Sequence, residues 1–334
     1  MATGLIRRQA AQIIPAEKFG VGLIERFVKF AGVSDSSRRT YKKCLDQMKG
    51  YLAANAINNP TRENLIDWVE ELKAAGKSPS TIQLYLTATK IFFRWTAQEG
   101  LYPNIADHLK TGVKPSHGHK KDALTTEQCA ELIKSVKNSH NKEMELRDKA
   151  ILALMTTAGL RTIEVVRADV GDIRFERGKT FLYVQGKGHT AADEKVLLGR
   201  QTKKAIDDYL KVRGGLSSKE ALFVSTSRSN RGARLDTQTI RKMVKRNLRE
   251  MGLDSPRLTA HSLRHSVATN LIYAGMELPK VQMIMRHKNL NTTMIYAAAW
   301  ERYQNDGEQR LADEIFNPPV DTRADDGGDT DAEN

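Results

Sequence analysis

The stretch 260–299 decides the reading of this chain: it runs AHSLRHSVATNL over 260–271, passes a polar break, and resumes as MIMRHKNLNTTMIYAAA over 283–299. His261 and Arg264 are three residues apart, so on a helix they share one face, while Leu263, Val267 and Leu271 recur every four residues on another. The apolar stripe predicts a buried helix whose polar pair faces a site. Gly275 and Pro279 interrupt the pattern, and Val281, Ile284 and Met285 then predict a short helix with His287 near its end. Tyr296 follows nine residues later. Arginine, histidines and a tyrosine in this order suit phosphoryl chemistry, in which cations neutralise phosphate oxygens and a hydroxyl attacks.

These residues resemble the tyrosine recombinase (phage integrase) family, whose members carry HxLRHxxAT, then GH, then a tyrosine at this same distance. The first motif stands intact as His261, Leu263, Arg264, His265, Ala268 and Thr269. The second departs from the pattern, because Arg286 occupies the usual glycine position before His287. Glycine there suits a left-handed helix end, which arginine adopts only at a cost. A different local turn is therefore expected, with His287 still usable.

Charge points to the same kind of partner. The chain of 334 residues has 53 Lys plus Arg against 40 Asp plus Glu, a net of +13. Six acids and one base fall in 319–334, which leaves +18 on the rest and makes nucleic acid the leading partner. Cys44 and Cys129 are far apart and lack metal-ligand spacing, so neither a disulfide framework nor a zinc site is supported. No apolar run is long enough to span a bilayer, and Arg7 and Arg8 interrupt any signal-peptide core. A cytoplasmic protein is expected.

Length and punctuation predict two domains between two tails: a tail over 1–18, helices over 19–110, a linker over 111–122, a second domain over 123–318 and an acidic, disordered tail over 319–334. In the first domain the apolar pattern predicts helices near 19–31, 36–54, 62–74 and 80–99, with Ile82, Tyr85, Leu86, Ile91, Phe92 and Trp95 as core. Its basic residues Arg38, Arg39, Lys42, Lys43, Lys90 and Arg94 are candidates for contact with DNA phosphates. In the second domain a helix begins at Thr125 or Thr126, another spans 145–159, and strands are expected over 172–175, 180–185 and 195–198. Helices resume near 201–211 and 237–251, the latter interleaving Ile240, Val244 and Leu248 with Arg241, Lys242, Lys245, Arg246 and Arg249. One face packs and the other is basic enough to lie along a groove or backbone. A last helix is expected from Trp300 to Phe316.

The resemblance implies a fold that is mainly α with a small β-sheet in the C-terminal domain. An all-helical, SAM-like, DNA-clamping N-terminal domain would precede an α+β catalytic domain, the two forming a C-shaped clamp on DNA. The segment SPSTIQLYLTATKIFFRWTAQEGLYPN looks like that N-terminal domain, although Ile105 stands where the family usually has proline. The resemblance also carries roles. Arg161, in AGLRTIEVV with Glu164 three residues on, would be the first catalytic arginine and Arg264 the second, both clamping non-bridging oxygens. His261 and His287 would donate to those oxygens or shuttle the tyrosine proton. Tyr296 would attack and hold the strand as a 3′-phosphotyrosine. Lys187, in a GKG hairpin loop, would protonate the leaving oxygen, and the long loop leaves Lys195 as a rival. No metal or other cofactor is called for.

The expected function is that of a site-specific DNA recombinase, an integrase of a mobile element first and a chromosome-dimer-resolving Xer-type enzyme next. It would act as a homotetramer on two double-stranded sites, with room for accessory DNA-bending proteins. A type IB topoisomerase and a catalytically silent DNA-binding regulator are the alternatives from other classes.

Overall fold

The structure is a computed structural model that describes residues 21–30, 32–110, 112, 122–138, 140–186, 189, 191–214, 217–287, 294, 296, 300 and 305–317. Lys187, Tyr303, nearly all of the expected linker 111–122 and both terminal tails lie outside the described residues. The chain divides into two units, Met1–His117 and Gly118–Asn334.

The first unit is helical: α1 (Val21–Phe30), α2 (Asp35–Ala54), α3 (Arg62–Ala74) and α4 (Pro79–Gln98). Side-chain caps start the last three. Ser34, Thr61 and Ser78 each accept from the backbone N–H three residues on, and Pro79 follows the Ser78 cap in the first turn, where it loses no helix bond. Phe27, Leu45, Met48, Leu65, Trp68, Ile82, Leu86 and Phe92 are buried together. The aromatic stripe of α4 is core as its spacing predicts. Tyr85 stacks on Trp68 at 6.2 Å between centroids, and Trp95 tilts against Phe27 at 5.6 Å.

The second unit opens with α5 (Thr126–Ser135), capped by Thr125, and α6 (Lys142–Thr157), capped by Asn141. Helix α6 begins three residues before the expected 145 because its first turn is charged except for Met144 and gives little apolar signal. It is buried nearly all round, with Ile151, Leu152, Leu154 and Met155 in the core. Its buried Arg147 and Asp148 are paired at 2.7 Å, and Arg246 reaches the other oxygen of Asp148 at 3.1 Å. The short α7 (Thr162–Arg167) leads through a 3-10 turn into three antiparallel strands in the order β1 (Ile173–Glu176), β2 (Lys179–Val184), β3 (Glu194–Leu197). Each strand is displaced by about one residue from its expected span. Leu182, Val184 and Val196 are buried on one sheet face, which fixes the register Ile173↔Leu182 and Leu182↔Val196.

Helices α8 (Arg200–Arg213), α9 (Thr237–Glu250), α10 (Ala260–Tyr273) and α11 (Leu278–Met285) complete the layers around α6. A smaller apolar cluster joins α10 and α11 through Val267, Ala268, Ile272, Val281 and Met285, and Tyr296 is buried in it. Trp300 packs on this cluster and meets Tyr273 edge-on at 4.6 Å, within its own unit. The last helix does not run from Trp300 to Phe316 as expected. Asn305 and Asp306 are not helical, and α12 (Gly307–Phe316) starts after them with Leu311, Ile315 and Phe316 exposed. No described helix is long and apolar enough to cross a membrane.

Candidate active site

The site grows from the turn between α6 and α7. Gly159 follows α6 with φ +61°, and a Cβ there would lie 3.1 Å from Met285 Sδ, so the backbone favours glycine and a side chain would crowd Met285. Two residues on, Arg161 caps α7 in extended conformation. Its backbone N–H donates to Glu164 Oε2 at 2.8 Å and its Nη1 to Oε1 at 2.6 Å. Glu164 is fully buried, and a second arginine reaches it: Arg286 Nη2 donates to Oε2 at 2.7 Å. Burial opposes ionisation of Glu164, but Arg286 and Arg161 outweigh it and hold the carboxyl below its ordinary range.

Arg286 is also where the sequence departs from the expected glycine. The turn does not differ. Arg286 sits in the left-handed region at φ 53°, ψ 47°, its N–H donates to Met283 O, and His287 N–H donates to Gln282 O at 3.1 Å. That is the Schellman termination glycine would make. The backbone cost is offset because the side chain, 6% exposed, pairs with Glu164 and lies 3.5 Å from Glu194 on β3.

Arg264 is buried on α10 and donates from Nη1 to Gly159 O and from Nη2 to Met285 O. Met285 is the last residue of α11, where a helix leaves partial negative charge, and Gly159 lies in the turn just after α6. Burial first, then Arg161 and Arg286, lower the Arg264 pKa to about 9, which still leaves it cationic at neutral pH. His287 lies among the same groups. Burial, then Arg264, Arg161, Arg286 and His261, lower its pKa to about 4, so its imidazole is neutral at pH 7.

The polar pair of α10 is therefore split by depth: His261 is exposed and Arg264 is buried. Tyr296 completes the group. It is 6% exposed, burial pushes its pKa up to about 12 while Arg264 pulls the other way, and its Oη is hydrogen-bonded to His265 Nδ1. The His265 ring meets the His261 ring edge-on at 4.9 Å.

The hairpin loop that carries Lys187 begins beside this site. Arg167 Nη1 on α7 donates to Gly186 O at 3.1 Å, and Glu194 at the far end of the loop faces Arg286. The rival Lys195 is held elsewhere. Its Nζ pairs with Glu176 at 2.9 Å and lies 4.7 Å from the Phe181 ring centroid, on the sheet face opposite buried Leu182 and Val196.

Residues 122–302, which contain every one of these groups, match the model of the phage integrase family, and residues 24–100 match that of the phage integrase N-terminal SAM-like domain. The chain belongs to the phage integrase family of tyrosine recombinases, enzymes that cleave and rejoin DNA. This recombinase is 30% identical to the tyrosine recombinase XerC of Alcanivorax borkumensis over 220 residues, 64% of this chain and 68% of that one. It is 28% identical to tyrosine recombinase XerA of Pyrococcus horikoshii, over 70% of this chain and 74% of that one. In fold it is similar to the XerH site-specific recombinase bound to palindromic difH substrate, with a TM-score of 0.68, 24% identity and coverage of 88% and 84%. A lambda integrase dimer bound to a COC′ core site gives 0.62, 17%, 82% and 76%.

Two residues of the recombinase site escaped the sequence reading. Arg286 was legible as a departure from glycine but not as a partner of Glu164, and His265 was legible in the motif but not as the neighbour of Tyr296. Of the basic residues expected to face DNA, Arg39, Lys43, Arg94, Arg241 and Lys242 are exposed and have no carboxylate at ion-pair distance among the described residues. Lys90 is half-buried. Acids hold the others: Lys42 pairs with Glu25 at 2.9 Å, Arg38 with Asp35 at 3.2 Å and Lys245 with Asp254 at 2.8 Å.

Proposed function

We propose that this recombinase cuts one DNA strand with Tyr296 and keeps it as a 3′-phosphotyrosine, from which the 5′-hydroxyl of a second strand releases it. The observation that supports this most is the shared geometry: Arg264 bonds the carbonyls of Gly159 and Met285, Arg161 and Arg286 meet on Glu164, and Tyr296 is buried against α10 in contact with His265. Arg161 and Arg264 are the cationic clamps on the non-bridging oxygens. A guanidinium has five N–H donors, so the two carbonyl bonds of Arg264 leave three for phosphate. Those carbonyls also fix the fork before substrate arrives, which avoids reorganisation in the transition state. Neutral His287 and exposed His261 serve as hydrogen-bond partners of the same oxygens. Lys187 is the acid for the leaving 5′-oxygen, and the tethered ends of its loop support that role.

Double-stranded DNA is the substrate, held by both units through their exposed basic residues, and a homotetramer pairs two sites in the cytoplasm. Three of the four proteins named above are Xer recombinases, an observation that brings the chromosome-dimer resolvase forward beside the mobile-element integrase. The test uses duplexes selected from a randomised pool by binding to the full chain, then nicked so that cleavage cannot reverse. The wild type should form a covalent protein–DNA adduct and Tyr296→Phe none, with both binding DNA equally. An adduct that survives Tyr296→Phe refutes the assignment, and plasmid relaxation without exchange between two sites refutes recombination in favour of a topoisomerase.

A further inference from the structure

The nucleophile has a proton that something must remove. Tyr296 is buried and its pKa stands at about 12, so at pH 7 only on the order of one phenol in 10⁵ is ionised. Attack on phosphorus therefore needs a base at Oη as the bond forms. Glu164 is taken up by its two arginines, and His287, with a pKa near 4, is a weak acceptor for a phenol. Among the described residues His265 is in hydrogen-bond contact with Oη through Nδ1, with the two rings 5.5 Å apart between centroids.

We infer that His265 is a catalytic residue, the base that receives the Tyr296 proton. This deepens the tyrosine mechanism proposed above and rests on it. Nδ1 carries the lone pair and Nε2 the hydrogen, so the phenol donates along the existing hydrogen bond. As Oη attacks phosphorus, its proton passes to Nδ1, the bond from phosphorus to the 5′-oxygen breaks, and that oxygen takes a proton from the acid assigned to Lys187. When an incoming 5′-hydroxyl attacks the phosphotyrosine, the hydroxyl proton returns to the lysine and the His265 proton returns to Oη, so the cycle closes.

Position on α10 explains how the contact is built. His265 follows Arg264 directly and lies one turn beyond His261, so the helix that anchors a clamp on two backbone carbonyls also aims the base at Tyr296. The charged and titratable groups that reach this corner among the described residues are His261 and Arg264 on α10, Tyr296, Arg161 after α6, Glu164 on α7, and Arg286 and His287 at the end of α11.

The test measures single-turnover adduct formation by the full chain on the nicked duplex, with sulfur in place of the scissile 5′-oxygen so that departure needs no acid. Wild type should climb with pH and then level as the base becomes neutral. His265→Ala should be about 100-fold or more slower at pH 7, with a rate that keeps rising tenfold per pH unit, and added imidazole should restore it in proportion to neutral imidazole. His265→Asn keeps a hydrogen-bond partner for Oη but no base, and should show the same altered profile without depending on the Ala variant's folding. A His265→Asn chain with the wild-type profile and a loss under threefold overturns the inference, as does a loss that leaves the profile unchanged and resists imidazole. Absence of any adduct from the wild type would instead overturn the tyrosine reading beneath it.

Discussion

Replacing Arg286 with glycine sets two effects of opposite sign against each other. Glycine removes the left-handed strain at φ 53°, a gain of about 1 kcal/mol. It also takes one of two arginines from a carboxylate that is fully buried. Breaking a buried pair costs about 3–5 kcal/mol when the remaining charge is uncompensated, and Arg161 keeps the loss near the lower end, roughly 3 kcal/mol. The bond from Arg286 Nη1 to Ile284 O at 3.2 Å adds about 0.5–1.5 kcal/mol. The net expectation is a loss of about 2.5–3.5 kcal/mol at pH 7, or a melting point lower by roughly 5–14 °C for a unit of this size. The pH dependence carries the stronger signature. In the wild type the Glu164 pKa is depressed below 4.5, so its contribution is complete above that value and is lost as pH falls through the folded value. Without Arg286 the folded pKa rises and the variant escapes its penalty by taking up a proton. The gap between the two proteins should therefore shrink from pH 7 towards pH 4. Scanning calorimetry, which separates the transitions of the two units, is the assay. A glycine variant at least as stable as the wild type at pH 7, or a gap that does not change with pH, refutes the reasoning.

Other outcomes follow from the same geometry. DNA affinity should fall linearly in log–log plots against salt, and Arg241→Ala with Lys242→Ala should reduce the slope by about 2, since each phosphate contact contributes close to one unit; an unchanged slope removes α9 from the interface. His287→Gln should alter the cleavage rate without altering the shape of its pH profile between pH 5.5 and 8, because the imidazole is already neutral there, its pKa being about 4; loss of an inflection in that range would show that His287 titrates in the reaction. A 5′-sulfur substrate should restore cleavage to Lys187→Ala, whereas Lys195→Ala, whose amine is tied to Glu176, should need no rescue on the natural substrate. The exposed Leu311, Ile315 and Phe316 suit α12 to dock on a neighbouring subunit, so deleting residues 304–334 should spare single-site binding while abolishing pairing of two sites; recombination by the truncated chain counts against that docking.

Sequence by itself determined what is governed by neighbours in the chain. Apolar spacing and turn residues gave α2, α3 and α4 nearly to their ends and the start of α5, because a helix start needs a hydroxyl three residues from an N–H and little else. The order of Arg161, His261, Arg264, His287 and Tyr296 was legible for the same reason. Only the tertiary structure decided what depends on distant partners. Helix α10 was read as a single apolar stripe, yet it is buried on most sides. Its serines bond internally, Ser266 Oγ donating to Ser262 O at 2.9 Å and accepting from Leu124 N–H at 2.7 Å, so polar residues pack where their pattern suggests solvent. Arg286 breaks a local rule whose cost is about 1 kcal/mol. Glu164 repays it from 122 positions away, and His265 meets Tyr296 across 31. Neither separation leaves any periodicity in the sequence, because a charge pair or a proton path is specified by where folded elements end and not by the spacing along any one of them.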